Sequence, residues 1–239
     1  MEVFVLKDYE EVSKKAFEVM KSVVSAKPDA VLGLATGSTP LGLYRNMIQD
    51  HQENQTSYAQ CQSFNLDEYV GLPRDHKESY YTFMHTNLFS GIDIKEENVH
   101  LPYGDSKADC EAYEKAMENV HVDIQVLGIG GNGHIGFNEP GTAFDEETHI
   151  VTLTEKTRQD NARFFDGDIN QVPTHAITMG IATIMKAGKI LLIATGANKA
   201  DAVAAMINKA PSTDCPASVL QNHKDVVVVL DEAAAAKLK

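Results

Sequence analysis

One fourteen-residue stretch concentrates groups able to do chemistry: Gly128-Ile129-Gly130-Gly131-Asn132-Gly133-His134-Ile135-Gly136-Phe137-Asn138-Glu139-Pro140-Gly141. It holds six glycines, a histidine, a carboxylate and two amides, directly after the apolar run Ile124-Gln125-Val126-Leu127. Glycine is the most permissive residue and the least stabilising inside regular structure. Such density after a strand means backbone that passes close to something, with His134 and Glu139 beside it. Imidazole titrates near neutral pH and a nearby carboxylate orients its ring, so the pair suits general acid–base work. The first six residues match the G-x-G-x-x-G dinucleotide fingerprint, but that fingerprint needs a helix to open at once. The continuation is too rich in Gly and Pro to be one. Zinc fits poorly too, since His134 and Glu139 lie on an irregular loop with no third ligand nearby.

Three further segments carry candidate chemistry. Leu32-Gly33-Leu34-Ala35-Thr36-Gly37-Ser38-Thr39-Pro40-Leu41 reads as a buried strand, a small-residue turn and a helix start, with Thr39 as N-cap and Pro40 at the first helical position. A helix N-terminus offers free N–H groups and partial positive charge to a phosphate or carboxylate, and Ser38 and Thr39 add hydroxyls. The same residues also serve as a helix-capping turn with no ligand, and no Walker lysine follows. Ile193-Ala194-Thr195-Gly196-Ala197-Asn198-Lys199-Ala200 repeats the strand, Thr-Gly turn and helix, with Lys199 in the first turn, where a cation opposes the dipole unless an anion binds. Arg163, in Asn161-Ala162-Arg163-Phe164-Phe165-Asp166, is another candidate cation, or a packing feature beside two aromatics. Phe64-Asn65-Leu66-Asp67-Glu68-Tyr69 ends a predicted strand, where open α/β sheets bind ligands. Its two carboxylates are either chemical or solvated turn charges, and adjacent side chains diverge, so at most one faces a substrate.

The elements that must position these groups alternate. Strands are expected at Val3–Leu6, Ala30–Ala35, Gln60–Leu66, Asp123–Ile129, Thr148–Leu153, His175–Met179, Lys189–Ala194 and Asp225–Leu230. Several are continuously apolar, as in parallel sheets covered on both faces. Helical patterns fall at Glu10–Val24, Leu41–Met47, Tyr80–Leu88, Lys107–Asn119, Lys156–Phe164 and Asn198–Asn208, with a helix-prone Ala233–Ala236 end. This alternation predicts a three-layer α/β/α sandwich with a mostly parallel, Rossmann-like sheet. With no linker, repeat or low-complexity tract, residues 1–239 read as a single domain.

The chain carries 34 acidic against 21 basic residues, a net charge of −13, which argues against nucleic acid or an anionic membrane surface as partner. An anionic substrate would need local donors. Cys61, Cys110 and Cys215 form neither a disulfide framework nor a zinc pattern. The N-terminus lacks a signal peptide's basic region and apolar core, and no apolar run approaches the ~18 residues of a membrane span. A soluble, cytoplasmic protein is expected.

In order, Ala35–Pro40, Asn65–Leu72, Glu78–His85, Asn132–Pro140, Arg163–Asp166, Asn170–Pro173 and Gly196–Ala200 resemble the glucosamine-6-phosphate deaminase family. The resemblance spans nearly the whole chain. It implies an enzyme of amino-sugar catabolism and N-acetylglucosamine utilisation, a hydrolase coupling aldose–ketose isomerisation to deamination. Glucosamine 6-phosphate and water give fructose 6-phosphate and ammonia, with no cofactor and no metal. Asp67 matches the base that moves a proton between C2 and C1, His134 the residue that opens the pyranose ring, and Glu139 its partner carboxylate. Thr36, Gly37, Ser38, Thr39, Arg163 and Lys199 fall at the phosphate end.

Two departures matter. Position 132 is asparagine where many members carry aspartate. An amide holds His134 in one tautomer by hydrogen bonding but cannot stabilise an imidazolium by charge, so Asn132 stays in the catalytic set while Glu139 is expected to be the ionic partner. The chain also lacks the C-terminal extension and the basic residues of the activated, hexameric members, which predicts no allosteric activator and permits a monomer. The rival readings are a 6-phosphogluconolactonase-like sugar-phosphate hydrolase and a catalytically silent sugar-phosphate sensor. The hydrolase would not need Asp67 as a carbon-acid base, and a sensor often loses a catalytic group, whereas here only Asn132 is altered.

Overall fold

The computed structural model describes residues 1–53 and 55–238. In chain order its elements are β1 (Glu2–Leu6), α1 (Tyr9–Ala26), β2 (Val31–Leu34), α2 (Leu41–Gln52), β3 (Gln62–Asn65), β4 (Asp67–Tyr69), α3 (Tyr80–Asn87), β5 (Val99–His100), α4 (Lys107–Met117), β6 (Ile124–Leu127), β7 (His149–Thr152), α5 (Glu155–Asn161), β8 (His175–Thr178), α6 (Ile181–Ile184), β9 (Lys189–Ala194), α7 (Ala200–Asn208) and β10 (Val226–Asp231), with short 3₁₀ turns between. Local sequence sets several starts. Asp8 and Ser79 cap α1 and α3 by accepting the Glu11 and Thr82 N–H groups, and Ser106 and Asp109 form a reciprocal capping box on α4.

Seven strands form one parallel sheet in the order β1-β10-β9-β6-β2-β3-β5, with helices on both sides. Its central strands β2 and β6, and β10 up to Asp231, are buried throughout, which explains their unbroken apolar runs. From β2 the chain moves outward to β3, whereas β6 has β9 on its other flank, so the strand order reverses between β2 and β6. A crevice opens outside the carboxyl ends of strands at such a switch point. A second, antiparallel sheet, β4-β8-β7, stands beside that end, with Asp67 opposite Thr178.

The eight expected strands are all present, with boundaries shifted by up to two residues. Two short strands escape the sequence reading. β4 follows β3 after Leu66 alone, because the Leu66 N–H still bonds Leu34 in the main sheet while its carbonyl accepts from Met179 beside the small one. β5 is a two-residue edge. The Ala233–Ala236 stretch forms turns rather than a helix, the Asp231 carboxylate accepting the Ala234 N–H.

Candidate active site

Four loops from the carboxyl ends of β2, β3, β6 and β9 surround one cavity of about 530 Å³. The turn after β2 brings Thr36, Gly37 and Thr39 to it, and Gly37 has a φ of +93°, a backbone state that side chains rarely adopt. Gly196, after β9, has the same φ, so both Thr-Gly turns use their glycine for the same positive-φ state. Ser38 is exposed and outside the cavity lining, its carbonyl accepting the Tyr9 hydroxyl at 3.0 Å. Thr39 is not the N-cap: Pro40 occupies that position, and the Tyr9 hydroxyl accepts the Gly42 N–H at 2.8 Å. A tyrosine from α1 thus does the capping that Thr39 was expected to do.

Asp67 opens β4, where successive side chains alternate. It is buried, lines the cavity, and has its pKa pushed up to about 8 by burial and then by Glu68. Glu68 turns the other way and accepts the N–H groups of Tyr69, Tyr80 and Tyr81 at 2.8 to 3.0 Å, seating a carboxylate on the start of α3. Burial still raises its pKa against those three donors. One carboxylate of the pair faces the site and its neighbour builds the wall.

The loop after β6 has no helix, which closes the dinucleotide reading. Asn138 anchors it: its buried side-chain amide donates to the Ile135 and Met179 carbonyls at 2.9 Å. The Phe137 N–H donates to the Thr178 hydroxyl. Gly136 lies so near that a Cβ there would sit 3.7 Å from Asp67 Oδ2. His134 lines the cavity, and Glu139 stands behind it with Oε2 3.5 Å from Nδ1. At that length the contact is electrostatic rather than a good hydrogen bond. Glu139 also accepts from Asn132 Nδ2 at 2.6 Å on Oε2 and from the Thr157 hydroxyl at 2.7 Å on Oε1. Burial works to raise its pKa, yet His134, Thr157 and Asn132 together hold it down at about 2.

Asn132 does not bond the imidazole. Its Oδ1 accepts the backbone N–H of His134 at 3.2 Å and its amide grips Glu139 instead. The expectation that this amide fixes the His134 tautomer directly is therefore corrected: it positions the carboxylate and the loop backbone.

At the other end of the cavity, Arg163 and Lys199 share the lining with Lys156. Burial lowers the Lys199 pKa, as do the Arg163 and Lys156 charges, while Asp160 opposes them. This is a corner where cations crowd, as an anion site requires. The Arg163 guanidinium also lies 4.7 Å from the Phe164 ring centre, so its packing and ligand-facing readings coexist. Lys156, Asp160, Thr157 and Tyr69 went unflagged in the sequence; only the Lys156/Asp160 spacing, four apart on a helix, hinted at a pair. Among the described residues no three His, Cys, Asp or Glu side chains gather as metal ligands.

A family model described as glucosamine-6-phosphate isomerases/6-phosphogluconolactonase matches residues 8–229. The chain belongs to this family. Within it, the chain is 49% identical to a glucosamine-6-phosphate deaminase of Thermoanaerobacter sp. (strain X514), covering 98% of this chain and 94% of that protein. It is 48% identical to glucosamine-6-phosphate deaminase 2 of Bacillus subtilis (strain 168), covering 100% and 98%. Among solved structures of the family, a monomeric glucosamine-6-phosphate deaminase superposes with a TM-score of 0.96 at 46% identity, covering 99% of this chain and 100% of that one. A 6-phosphogluconolactonase from Trypanosoma brucei shares the fold, with a TM-score of 0.82 at 21% identity over 100% and 98%.

Proposed function

We propose that this protein is a glucosamine-6-phosphate deaminase in which phosphate, ring-opening and carbon-acid chemistry are divided among three parts of one cavity. Named deaminases at nearly half identity span almost the whole chain. The observation that carries the division of labour is that Asp67 and His134 line the same cavity as Arg163 and Lys199.

The phosphate is held by Arg163 and Lys199 with the Thr36–Thr39 turn, where the Thr36 and Thr39 hydroxyls and the turn's backbone N–H groups add to the cations. Binding remote from the reacting carbons orients C1 and C2. His134 then takes the O1 proton and delivers it to O5 as the C1–O5 bond breaks, giving the open-chain aldehyde. Glu139, ionised at any pH above its pKa of about 2, stabilises the imidazolium between those two transfers.

Asp67 removes the C2 proton to form an enolamine and returns it to C1. Water adds to the resulting C2 iminium, and ammonia leaves as the ketone forms. A carboxylate whose pKa stands near 8 is a far stronger base than an exposed aspartate, as a carbon acid demands. The substrate's C2 ammonium, arriving beside it, favours the ionised carboxylate. Lactone hydrolysis has no C–H bond to break, and its base need only activate a water.

The reading includes one sugar-phosphate domain working as a cytoplasmic monomer without an activator. Three free thiols and the monomeric relative support it, and among the described residues no helix is long and apolar enough to cross a membrane. Incubation with glucosamine 6-phosphate should release ammonia and fructose 6-phosphate in equal amounts with hyperbolic kinetics. Tight binding without ammonia would favour a sensor. Cleavage of 6-phosphogluconolactone in its place would favour the hydrolase.

A further inference from the structure

Glu139 Oε1 has one donor, and it comes from outside the glycine-rich loop: the Thr157 hydroxyl, at 2.7 Å, from the buried face of α5. The direction of this bond is fixed by charge. A carboxylate with a pKa of about 2 only accepts, so the Thr157 proton points to Glu139. The Thr157 oxygen is then free to accept from the Thr154 hydroxyl 2.9 Å away. Thr154 in turn caps α5 by accepting the Thr157 N–H at 3.1 Å. The result is a directed chain, Thr154 to Thr157 to Glu139, in which each bond polarises the next.

A carboxylate's terminal torsion is broad and sets no orientation by itself. Asn132 holds Oε2 at 2.6 Å, whereas His134 is 3.5 Å from that oxygen and too far to steer it. Asn132 on Oε2 and Thr157 on Oε1 therefore fix the carboxylate plane together, and with it where Oε2 stands relative to Nδ1. The segment that does the pinning runs on through one 3₁₀ turn to Arg163, at the cationic end of the cavity. It is braced from below, where Asn161 donates to the Tyr69 hydroxyl at 2.9 Å.

We propose that Thr157 is a positioning residue for ring opening, acting through Glu139 rather than on the substrate. The proposal rests on the acid–base role given above to the Glu139–His134 pair, and a double-mutant cycle separates the two claims. Thr157→Val, which removes the hydroxyl at similar size, should lower kcat by about 10- to 100-fold, the scale of a misplaced catalytic group. KM and inhibition by inorganic phosphate should stay within about twofold, because Arg163 and Lys199 are untouched. Thr157→Ser should recover most of the rate. In a Glu139→Gln background Thr157→Val should cost almost nothing further, since its target is already gone.

Full activity in Glu139→Gln would sink the pair itself. An impaired Glu139→Gln with additive loss from Thr157→Val, or a Thr157→Val enzyme within threefold of wild type, would overturn the positioning role alone. If the valine variant folds poorly, Thr157→Ala carries the same cycle.

Discussion

The His134 ring lies directly over Gly130, so closely that a Cβ built on the glycine would stand 2.2 Å from ring Cε1 and 2.3 Å from Nδ1. Ring and backbone share that space only because position 130 has no side chain. The Gly130 N–H donates to the His134 carbonyl at 2.9 Å, so the loop closes on its own histidine. A methyl group there meets a ring that is partly exposed and free to swing into the cavity, so the fold is spared and the geometry is lost. Gly130→Ala is expected to lower kcat about 100-fold, a misplacement of the order of 1 Å, with a thermal midpoint close to wild type. Steady-state kinetics beside a melting curve checks this, and a wild-type rate would show that the ring position is not limiting.

Asp67 should write its pKa into both activity and stability. The base must be ionised, so kcat/KM is expected to rise with pH and level off above an apparent pKa near 8. In the folded protein the proton is held from about pH 4 up to about 8, a window in which the unfolded chain has lost it. Stability contributed by this group is complete below that window and declines as pH rises through it, at up to ~1.4 kcal/mol per unit. Asp67→Asn stays neutral, so its thermal midpoint should gain on wild type between pH 5 and 8 while its turnover falls by about 10²- to 10⁴-fold. Parallel pH profiles of the two melting curves would refute the buried-acid assignment.

What the sequence made legible is what rests on local chemistry. Continuous apolar runs such as Ile190–Ile193 and Val226–Leu230 announce buried parallel strands, and both lie inside the sheet with a strand on each side. Thr36-Gly37 and Thr195-Gly196 announce turns because a φ of +93° demands glycine. Adjacent carboxylates cannot face the same way, and Asp67 and Glu68 do not. What escaped depends on partners distant in the chain. Nothing near Thr39 shows that Tyr9, thirty residues earlier, caps α2. β4 exists because β8 lies opposite it, and Asp67–Tyr69 is too short for a period to show. Thr157 reads as an ordinary helix residue until Glu139 is folded against it.

The cationic corner separates contributions by existing pairing, burial and geometry, since Arg163 is exposed as Lys156 is. Lys156 is 79% exposed and already paired with Asp160 at 2.8 Å, so solvent screens it and its worth to a bound anion is small. Lys199 is partly buried and Arg163 can make two parallel bonds to phosphate. Arg163→Ala and Lys199→Ala are each expected to raise KM and the inhibition constant for inorganic phosphate about tenfold or more, whereas Lys156→Ala should change both less than about threefold, as for a surface ion pair. Phosphate inhibition measured at fixed ionic strength distinguishes them, and a Lys156→Ala effect equal to that of Arg163→Ala would mean that Lys156 leaves Asp160 to bind the anion.

Asn132 and Glu139 make the last comparison. Glu139→Gln keeps the shape but removes the charge that steadies the His134 imidazolium, so the rate should fall at least about 100-fold at every pH tested. Asn132→Asp does something different. It replaces an amide donating at 2.6 Å to Glu139 Oε2 with a second carboxylate at the same place. Two carboxylates that close cannot both ionise freely, so the pair takes up one proton, with an apparent pKa well above the value of about 2 that Glu139 has now. A shared proton restores the hydrogen bond but leaves one negative charge for His134, as in the present protein. Asn132→Asp is therefore expected to stay within about tenfold of wild type from pH 5 to pH 8, because a pair that already shares one proton takes up a second only well below pH 5. Rate profiles of both variants from pH 5 to 9 decide the matter. If Asn132→Asp is the slower enzyme at pH 8, the amide matters more than the charge and Glu139 is not the principal partner of His134.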